Sequence, residues 1–304
     1  VRFLPEGQPI APGTWVRLPG HAEALEEFAR VGGGLFHGSL GDLYVRKVTD
    51  RGGVITVADL KCATAQWVPP VRSEVAGRDI WATPLPTHGP ALLDALQAAD
   101  TGACIPRDQI ERVRDARTRQ RDTAGDAGTS VVTASDADGN VVVLVHSLSH
   151  PTFGSGLVIP GIDLVLSNRA GRGFTNIAGH LNAPEPGRRP VTTLHAWALG
   201  STALTPFTAG ATSGGIQQVP WNVQAIERLI HGEAIANAVL EPLWEMTSDG
   251  HIRYETDSIT PAAEGTAVPP WSLEAGMQIV QPADDAGVCH VISDIRSVGG
   301  AAAA

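Results

Sequence analysis

The chain has 304 residues, 43% hydrophobic and 18% charged, with a formal net charge of −10. That length can bury a substantial core, as one large domain or two. The acidic balance offers no basic stripe to neutralise phosphates and so argues against a nucleic-acid partner. No apolar run reaches the roughly 20 residues of a membrane-spanning helix. Glycine (34) and proline (22) are frequent and aromatics are few, which suits short strands and turns better than a helical bundle.

Three widely spaced cysteines, Cys62, Cys104 and Cys289, include no Cys-x-x-Cys and are expected to be reduced core residues. The first residue is Val1, so a removed targeting segment stays open and the compartment is unassigned, with the cytoplasm favoured.

In chain order, His21–Val31 places Ala22, Leu25, Phe28 and Ala29 at helical spacing, and Gly32-Gly33-Gly34 stops it. Ser39–Thr49 is a second amphipathic helix, and Ile55-Thr56 caps a short helix through Asp59 and Leu60. A turn set at Pro84, Pro86, Gly89 and Pro90 leads into a helix over Ala91–Ala99. Residues 106–128, carrying Arg112, Arg114, Arg117, Arg119 and Arg121, read as a polar surface linker that is mobile and open to cleavage. From Thr129 the texture changes. Thr129–Ser135 and Val141–Ser149 are strand-like, joined by Asp136-Ala-Asp-Gly-Asn140, a hairpin signal. A fold about Asp138–Gly139 would set Thr129 across from Leu148, flanked by Ser147 and Ser149. Further strands are expected at Leu157–Ile159, Leu164–Leu166, Thr192–Leu199 and Phe207–Thr212, and a helix over Trp221–Ile230.

Gly128-Thr129 itself has the form of an N-terminal nucleophile before it becomes N-terminal. Cutting that bond would give Thr129 a free α-amine beside its own hydroxyl, so one residue would supply both nucleophile and base. Several separated motifs then follow in one order: Asp138-Gly139-Asn140; Phe153-Gly-Ser-Gly156; Ser167-Asn168-Arg169 leading to Gly173-Phe174; Pro186-Gly-Arg-Arg-Pro-Val-Thr-Thr193; and Ser213-Gly214-Gly215-Ile-Gln-Gln218 with Trp221-Asn222-x-Gln224. With the upstream Gly53-Val-Ile-Thr-x-x-Asp59-Leu60, they resemble the γ-glutamyltranspeptidase and cephalosporin-acylase-like branch of the N-terminal-nucleophile hydrolases, over nearly the whole chain.

The resemblance implies an α+β, four-layer αββα sandwich. It divides the chain into the end of a large subunit (1–105), a linker ending at the cleavage site (106–128) and a small catalytic subunit (129–304). It implies self-cleavage at Gly128–Thr129, with Thr129 as nucleophile and Ser147 as its hydroxyl neighbour. Gly214 and Gly215 would be the oxyanion-hole pair, worth about 3–4 kcal/mol per lost donor. Substrate contacts fall on Ser149, Arg169, Arg172, Thr192 and Thr193. Ser149 replaces the usual asparagine of the transpeptidases, and Asn168-Arg169-Ala-Gly-Arg172-Gly-Phe174 holds no carboxylate where γ-glutamyl enzymes bind an ammonium. Arginine there favours a substrate carboxylate. The family's long N-terminal half, with its carboxylate-gripping arginine, has no match: it either lies outside these 304 residues or the protein is a shortened form.

The expected partners are a small-molecule substrate and the two cleaved fragments for each other; a homo-oligomer is left open, and no cofactor or metal is expected. His146 and His150 are too far apart on a strand for one metal, and Asp136, Asp138 and Asn140 lack the glycine and glutamate of a calcium loop. Gly154-Ser-Gly156 does not complete a dinucleotide fingerprint. Two rivals stand beside amide chemistry: a relative that cleaves a carbon–carbon bond next to a carbonyl in antibiotic biosynthesis, and a non-catalytic homologue acting as a binding protein.

Overall fold

The computed structural model describes residues 3–97, 106–120, 128–151, 153–180, 182–203, 206–256, 265–284 and 286–302. Its first elements are helices α1 (Pro19–Val31), α2 (Ser39–Thr49) and α3 (Val57–Cys62), strands β1 (Val71–Val75) and β2 (Arg78–Ala82), then α4 (Gly89–Gln97) and α5 (Pro106–Gln120). Next come β3 (Thr129–Ser135), β4 (Val141–Ser147), β5 (Val158–Ile159), β6 (Leu164–Val165), α6 (Arg169–Gly173), β7 (Trp197–Leu199) and β8 (Thr208–Ala211). The last are α7 (Gln218–Ile230), α8 (Ile235–Leu240), β9 (Trp244–Met246), β10 (Ile252–Glu255), β11 (Thr266–Val268), β12 (Gln278–Gln281) and β13 (His290–Ser293).

Contacts divide the chain into two compact units, Val1–Val68 with Phe153–Ser167, and Pro69–Thr152 with Asn168–Ala304. In the first, α1 and α2 pack Ala24, Leu40, Leu43 and Tyr44 around Ile159 and Ile162. Gly20 donates its N–H to the Asp163 carboxylate at 3.0 Å. The expected cap on α3 is a capping box: the Thr56 hydroxyl accepts from the Asp59 N–H while the Asp59 carboxylate accepts from the Thr56 N–H.

In the second unit a six-stranded antiparallel sheet runs β1-β2-β7-β8-β12-β13. Helices α4 and α7 bury Leu92, Leu96, Val223 and Ile226 in one core with Ile80, Leu199 and Ile279 of the sheet. The β3–β4 hairpin packs on β8 and β12. Every residue of β8 is therefore buried, since both of its faces are covered. Helices, sheet and hairpin thus form α, β and β layers, within an α+β fold. The hairpin alternates half-buried with exposed positions, so Thr129, Val131, Val145 and Ser147 share one face while Val132, Val142 and Leu144 are exposed on the other.

Three expectations are corrected. Residues 106–120 of the presumed linker form α5, a helix with Ile110, Val113 and Ala116 buried in the core. The three-residue spacing was masked by surrounding arginines and amides, and several of these are internal: Gln109 donates to Glu227 at 2.6 Å and accepts from Trp244 Nε1 at 3.0 Å, and Arg112 pairs with Glu227. Residues 121–127 lie outside the described residues. Thr192–Leu199 is strand only at Trp197–Leu199. Cys62 and Cys289 are exposed and unbridged rather than core, and Cys104 lies outside the described residues. The compact units also cut across the sequence divisions at 105 and 128, which concern cleavage rather than packing.

Candidate active site

The hairpin is set by its turn. The Asp136 carboxylate accepts from the N–H groups of Asp138 (3.0 Å) and Asn140 (2.9 Å) and from Asn140 Nδ2 (2.8 Å), and Gly139 takes a positive φ of 80°. Those bonds, led by the one from the Asn140 side chain, hold the Asp136 carboxyl below its ordinary range. The five-residue loop centres on Asp138 and pairs Thr129 with Ser147. The expected partner was Leu148; the register is one residue away, and this brings the Ser147 hydroxyl onto the same face as Thr129.

Ser147 Oγ donates to the Gly128 carbonyl at 2.6 Å and accepts from the Ser149 N–H at 2.8 Å. The carbonyl preceding Thr129 is therefore polarised by a hydroxyl whose own orientation is fixed. The Thr129 hydroxyl is buried and makes no hydrogen bond among the described residues. Ser149 is buried with φ at +67°, and its hydroxyl accepts from Arg169 Nη2 at 2.9 Å. Arg169, at the start of α6, also donates to the Val191 carbonyl at 3.1 Å. Ser147, Ser149, Arg169, Thr192 and Thr193 line one small cavity of about 50 Å³.

Thr193 is braced from behind. Trp197 Nε1 donates to Asn222 Oδ1 at 2.9 Å, which turns the Asn222 amide nitrogen onto His195 Nε2, also at 2.9 Å. That ring nitrogen must accept, so Nδ1 carries the proton and donates to the Thr193 carbonyl at 2.9 Å. The Gln218 amide, with its nitrogen toward the Thr193 and Thr212 carbonyls, adds bonds of 3.2 Å to each. Burial first, then the nearby His88, lowers His195 to a pKa of about 4 against the raising effect of its bond to Thr193. His88 is pushed to about 3 by burial, then by Arg117 and Arg169. Both rings are neutral at physiological pH.

A larger cleft, about 510 Å³, is lined by Gly128, Thr129, Gly214 and Trp221, together with Glu245 and Arg253. Gly214 (φ +114°) and Gly215 (φ +57°) precede α7. A Cβ at Gly214 would overlap the Trp221 ring, so this backbone is open only to glycine. Among the described residues neither glycine amide donates a hydrogen bond to the protein.

A family model described as gamma-glutamyltranspeptidase matches residues 2–103 and 105–304. The chain belongs to the gamma-glutamyltranspeptidase family. Glutathione hydrolase 7 of Mus musculus is 26% identical over 309 residues, covering 79% of this chain and 46% of its own length. Glutathione hydrolase proenzyme 2 of Schizosaccharomyces pombe is 31% identical over 99 residues, 32% of this chain and 16% of that protein. The chain spans about half the length, or less, of these curated relatives. The crystal structure of cephalosporin acylase from Bacillus halodurans superposes with a TM-score of 0.82 at 23% identity, over 97% of this chain and 64% of that one. That likeness shows the fold, the αββα sandwich of N-terminal-nucleophile hydrolases.

Within this member of the family, eight of the ten residues singled out from the sequence line one of the two cavities. Gly215 is buried beside Gly214, and Arg172 is half-exposed and lines neither. The sequence reading missed His150, Trp221, Glu245 and Arg253 as cleft residues. Trp221 stood in a motif without a role, and Glu245 could have been noticed as a carboxylate inside the apolar run Leu243-Trp-Glu-Met246.

Proposed function

We propose that this protein is a self-cleaving N-terminal-threonine amidohydrolase or acyltransferase whose acyl substrate carries a carboxylate. The observation that carries the reading is the Gly128 carbonyl held by the Ser147 hydroxyl at 2.6 Å, next to a Thr129 hydroxyl committed to nothing else. In maturation, Thr129 Oγ attacks the Gly128 carbonyl carbon, and Ser147 stabilises the developing oxyanion. The C–N bond breaks as the C–Oγ ester forms, and the Oγ proton passes to the departing Thr129 nitrogen. Water then hydrolyses the ester, leaving a Gly128 carboxylate and a free Thr129 amine. That amine, with an ordinary pKa near 7.7–8.0, accepts the Oγ proton in each later turnover and hands it to the leaving nitrogen of the substrate. The unengaged amides of Gly214 and Gly215 suit the tetrahedral oxyanion, and the acyl-enzyme ends in hydrolysis or in transfer to an amine. The two fragments stay associated because α4 and α5 share one core with α7 and the sheet.

The substrate class follows from a coupled departure. Ser149 and Arg169 both differ from the γ-glutamyl pattern, and they touch each other at 2.9 Å. Together with the Thr192 and Thr193 hydroxyls they make a cationic, hydroxyl-lined cavity suited to a carboxylate, where an ammonium would meet a guanidinium. Mass analysis of denatured protein should show two fragments, the smaller beginning at Thr129; Thr129→Ala should leave one chain and no turnover. Glutaryl anilides should be cleaved in preference to γ-glutamyl anilides. A whole chain in an active preparation overturns the mechanism, and the opposite preference overturns the substrate class.

A further inference from the structure

The two threonines of the small cavity stand on a stretch of chain that lies outside the sheet. Strand β7 begins only at Trp197. Upstream of it, Thr192 is joined to Thr87 by one isolated bridge, its N–H donating to the Pro86 carbonyl at 2.8 Å. Side chains supply the next fixed points. The Leu194 N–H donates to Thr192 Oγ at 3.3 Å, and His195 Nδ1 donates to the Thr193 carbonyl at 2.9 Å. Residues 192–195 are thus folded on themselves, with both threonines lining the cavity beside Arg169.

The bond from His195 ends a chain that runs in one direction only. An indole N–H cannot accept, so Trp197 Nε1 fixes Asn222 Oδ1 as the accepting atom, at 2.9 Å. The Asn222 nitrogen then faces His195 Nε2, and a neutral ring that accepts there carries its proton on Nδ1. Every donor points toward Thr193, an order in which each bond polarises the next. Trp197, Asn222, His195 and Thr193 are each at most 2% exposed, so water does not compete for any link.

The hydroxyl of Thr193 is held more loosely than its carbonyl. With the Gln218 nitrogen on the Thr193 and Thr212 carbonyls, the oxygen of that amide stands 3.4 Å from Thr193 Oγ. That is long for a hydroxyl donor, whose bonds fall near 2.7–2.8 Å. The hydroxyl proton can leave such a contact for a ligand oxygen, whereas the carbonyl is fixed by two donors.

We propose that His195 is a positioning residue for acyl recognition. Through its bond to the Thr193 carbonyl it keeps the Thr193 hydroxyl aimed at the acyl carboxylate, while Asn222 and Trp197 set the tautomer that makes that bond. The proposal rests on the reading of the Arg169 cavity as the acyl site and assigns to it a determinant that touches no substrate itself. A misplaced hydroxyl weakens binding without reaching the Thr129 nucleophile, so the effect falls on KM.

The test uses the self-cleaved protein, glutaryl 4-nitroanilide and two substitutions that each keep half of the imidazole. In His195→Asn the amide nitrogen stands in for Nδ1–H and keeps the donor to Thr193. In His195→Gln the amide oxygen stands in for Nε2 and keeps the acceptor for Asn222, but the donor to Thr193 is lost. His195→Gln should raise KM by about fivefold to tenfold, the scale of one hydrogen bond, with kcat within about threefold of wild type. His195→Asn should raise KM by less than about twofold, a separation that a role confined to stability would not produce. Equal rises, no rise in either, or a fall in kcat at constant KM overturn the proposal and leave the hydrolase reading in place. Should either variant fail to fold, nitrogen NMR of wild type labelled at histidine decides. His195 should carry its proton on Nδ1, and that signal should shift when glutarate is added; protonation at Nε2, or a signal that glutarate leaves unmoved, overturns the proposal. A self-cleaved wild type that does not cleave the glutaryl anilide overturns the acyl reading, and the proposal falls with it.

Discussion

Thr129 stands between two walls held by different means. On the Arg169 side, Ser149, Thr192 and the guanidinium come from loops and a five-residue helix and are fastened mainly by bonds to hydroxyls and loop carbonyls. On the α7 side, every residue from Gln218 to Glu227 is buried, and the amides of Gln217, Gln224 and Asn222 are each committed to buried partners. A buried polar group left without its partner costs far more than a surface contact returns. The first wall can thus change its side chains with little effect on folding, whereas the second cannot change without unfolding what it supports.

The sharpest way to break the comparison is Gln224→Leu. The apolar side chain is similar in size but leaves the buried Trp244 N–H and C=O without their bonds. Unpairing buried groups of this kind costs about 1–3 kcal/mol each, so a stability loss of about 2–5 kcal/mol is expected in urea melts. A loss under about 1 kcal/mol would mean that the α7 wall is no more constrained than the other.

Acid should act on the buried histidines that join the two walls, His195 running from Asn222 of α7 to Thr193. His195 has a folded pKa of about 4 and His88 about 3, both below the ordinary 6.5. The unfolded chain binds these protons first, so stability falls as pH drops through 6.5 toward the folded values and is full above that window. The slope approaches about 1.4 kcal/mol per pH unit for each histidine. Substituting His195 by Gln should flatten the acid limb by roughly one histidine's share; an unchanged slope would show that the ring is not held neutral.

The contrast between the walls also explains what was legible in the sequence. The hairpin announced itself because its signals are local: alternation on both strands and an Asp-x-Asp-Gly-Asn turn. Only its register slipped, since the Asp136 carboxylate reaches two and four residues ahead and recentres the loop. Helix α5 was read as linker because its apolar positions are few and Arg112, Arg117 and Gln109 are satisfied by Glu227, Ala95 and Met246, residues that no local window contains. Glu245 and Arg253 were missed for the same reason. Their pairing depends on two adjacent strands and on glutamines of a helix some twenty to thirty residues earlier. Glycines 214 and 215 were found through the motif they belong to, but the need for glycine at 214 lies in the Trp221 ring seven residues on.

The smallest expected change in stability belongs to Arg169→Met, and it carries the most information about chemistry. It bonds to a serine hydroxyl and a backbone carbonyl among its partners, both part-buried, and the loss should be about 1 kcal/mol. Self-cleavage should persist, since the Ser147 bond to Gly128 does not pass through the guanidinium. Removing the cation should raise KM for a glutaryl anilide by about tenfold to a hundredfold, the scale of a charge-assisted pair, while kcat changes much less. The same variant should gain ground on γ-glutamyl anilide, because an ammonium no longer meets a like charge. A fall in kcat with KM unchanged would place Arg169 in the chemical step instead of in recognition of the acyl carboxylate. The Ser149 hydroxyl, accepting from Arg169 and next in sequence but one to Ser147, would then be the link through which it acts.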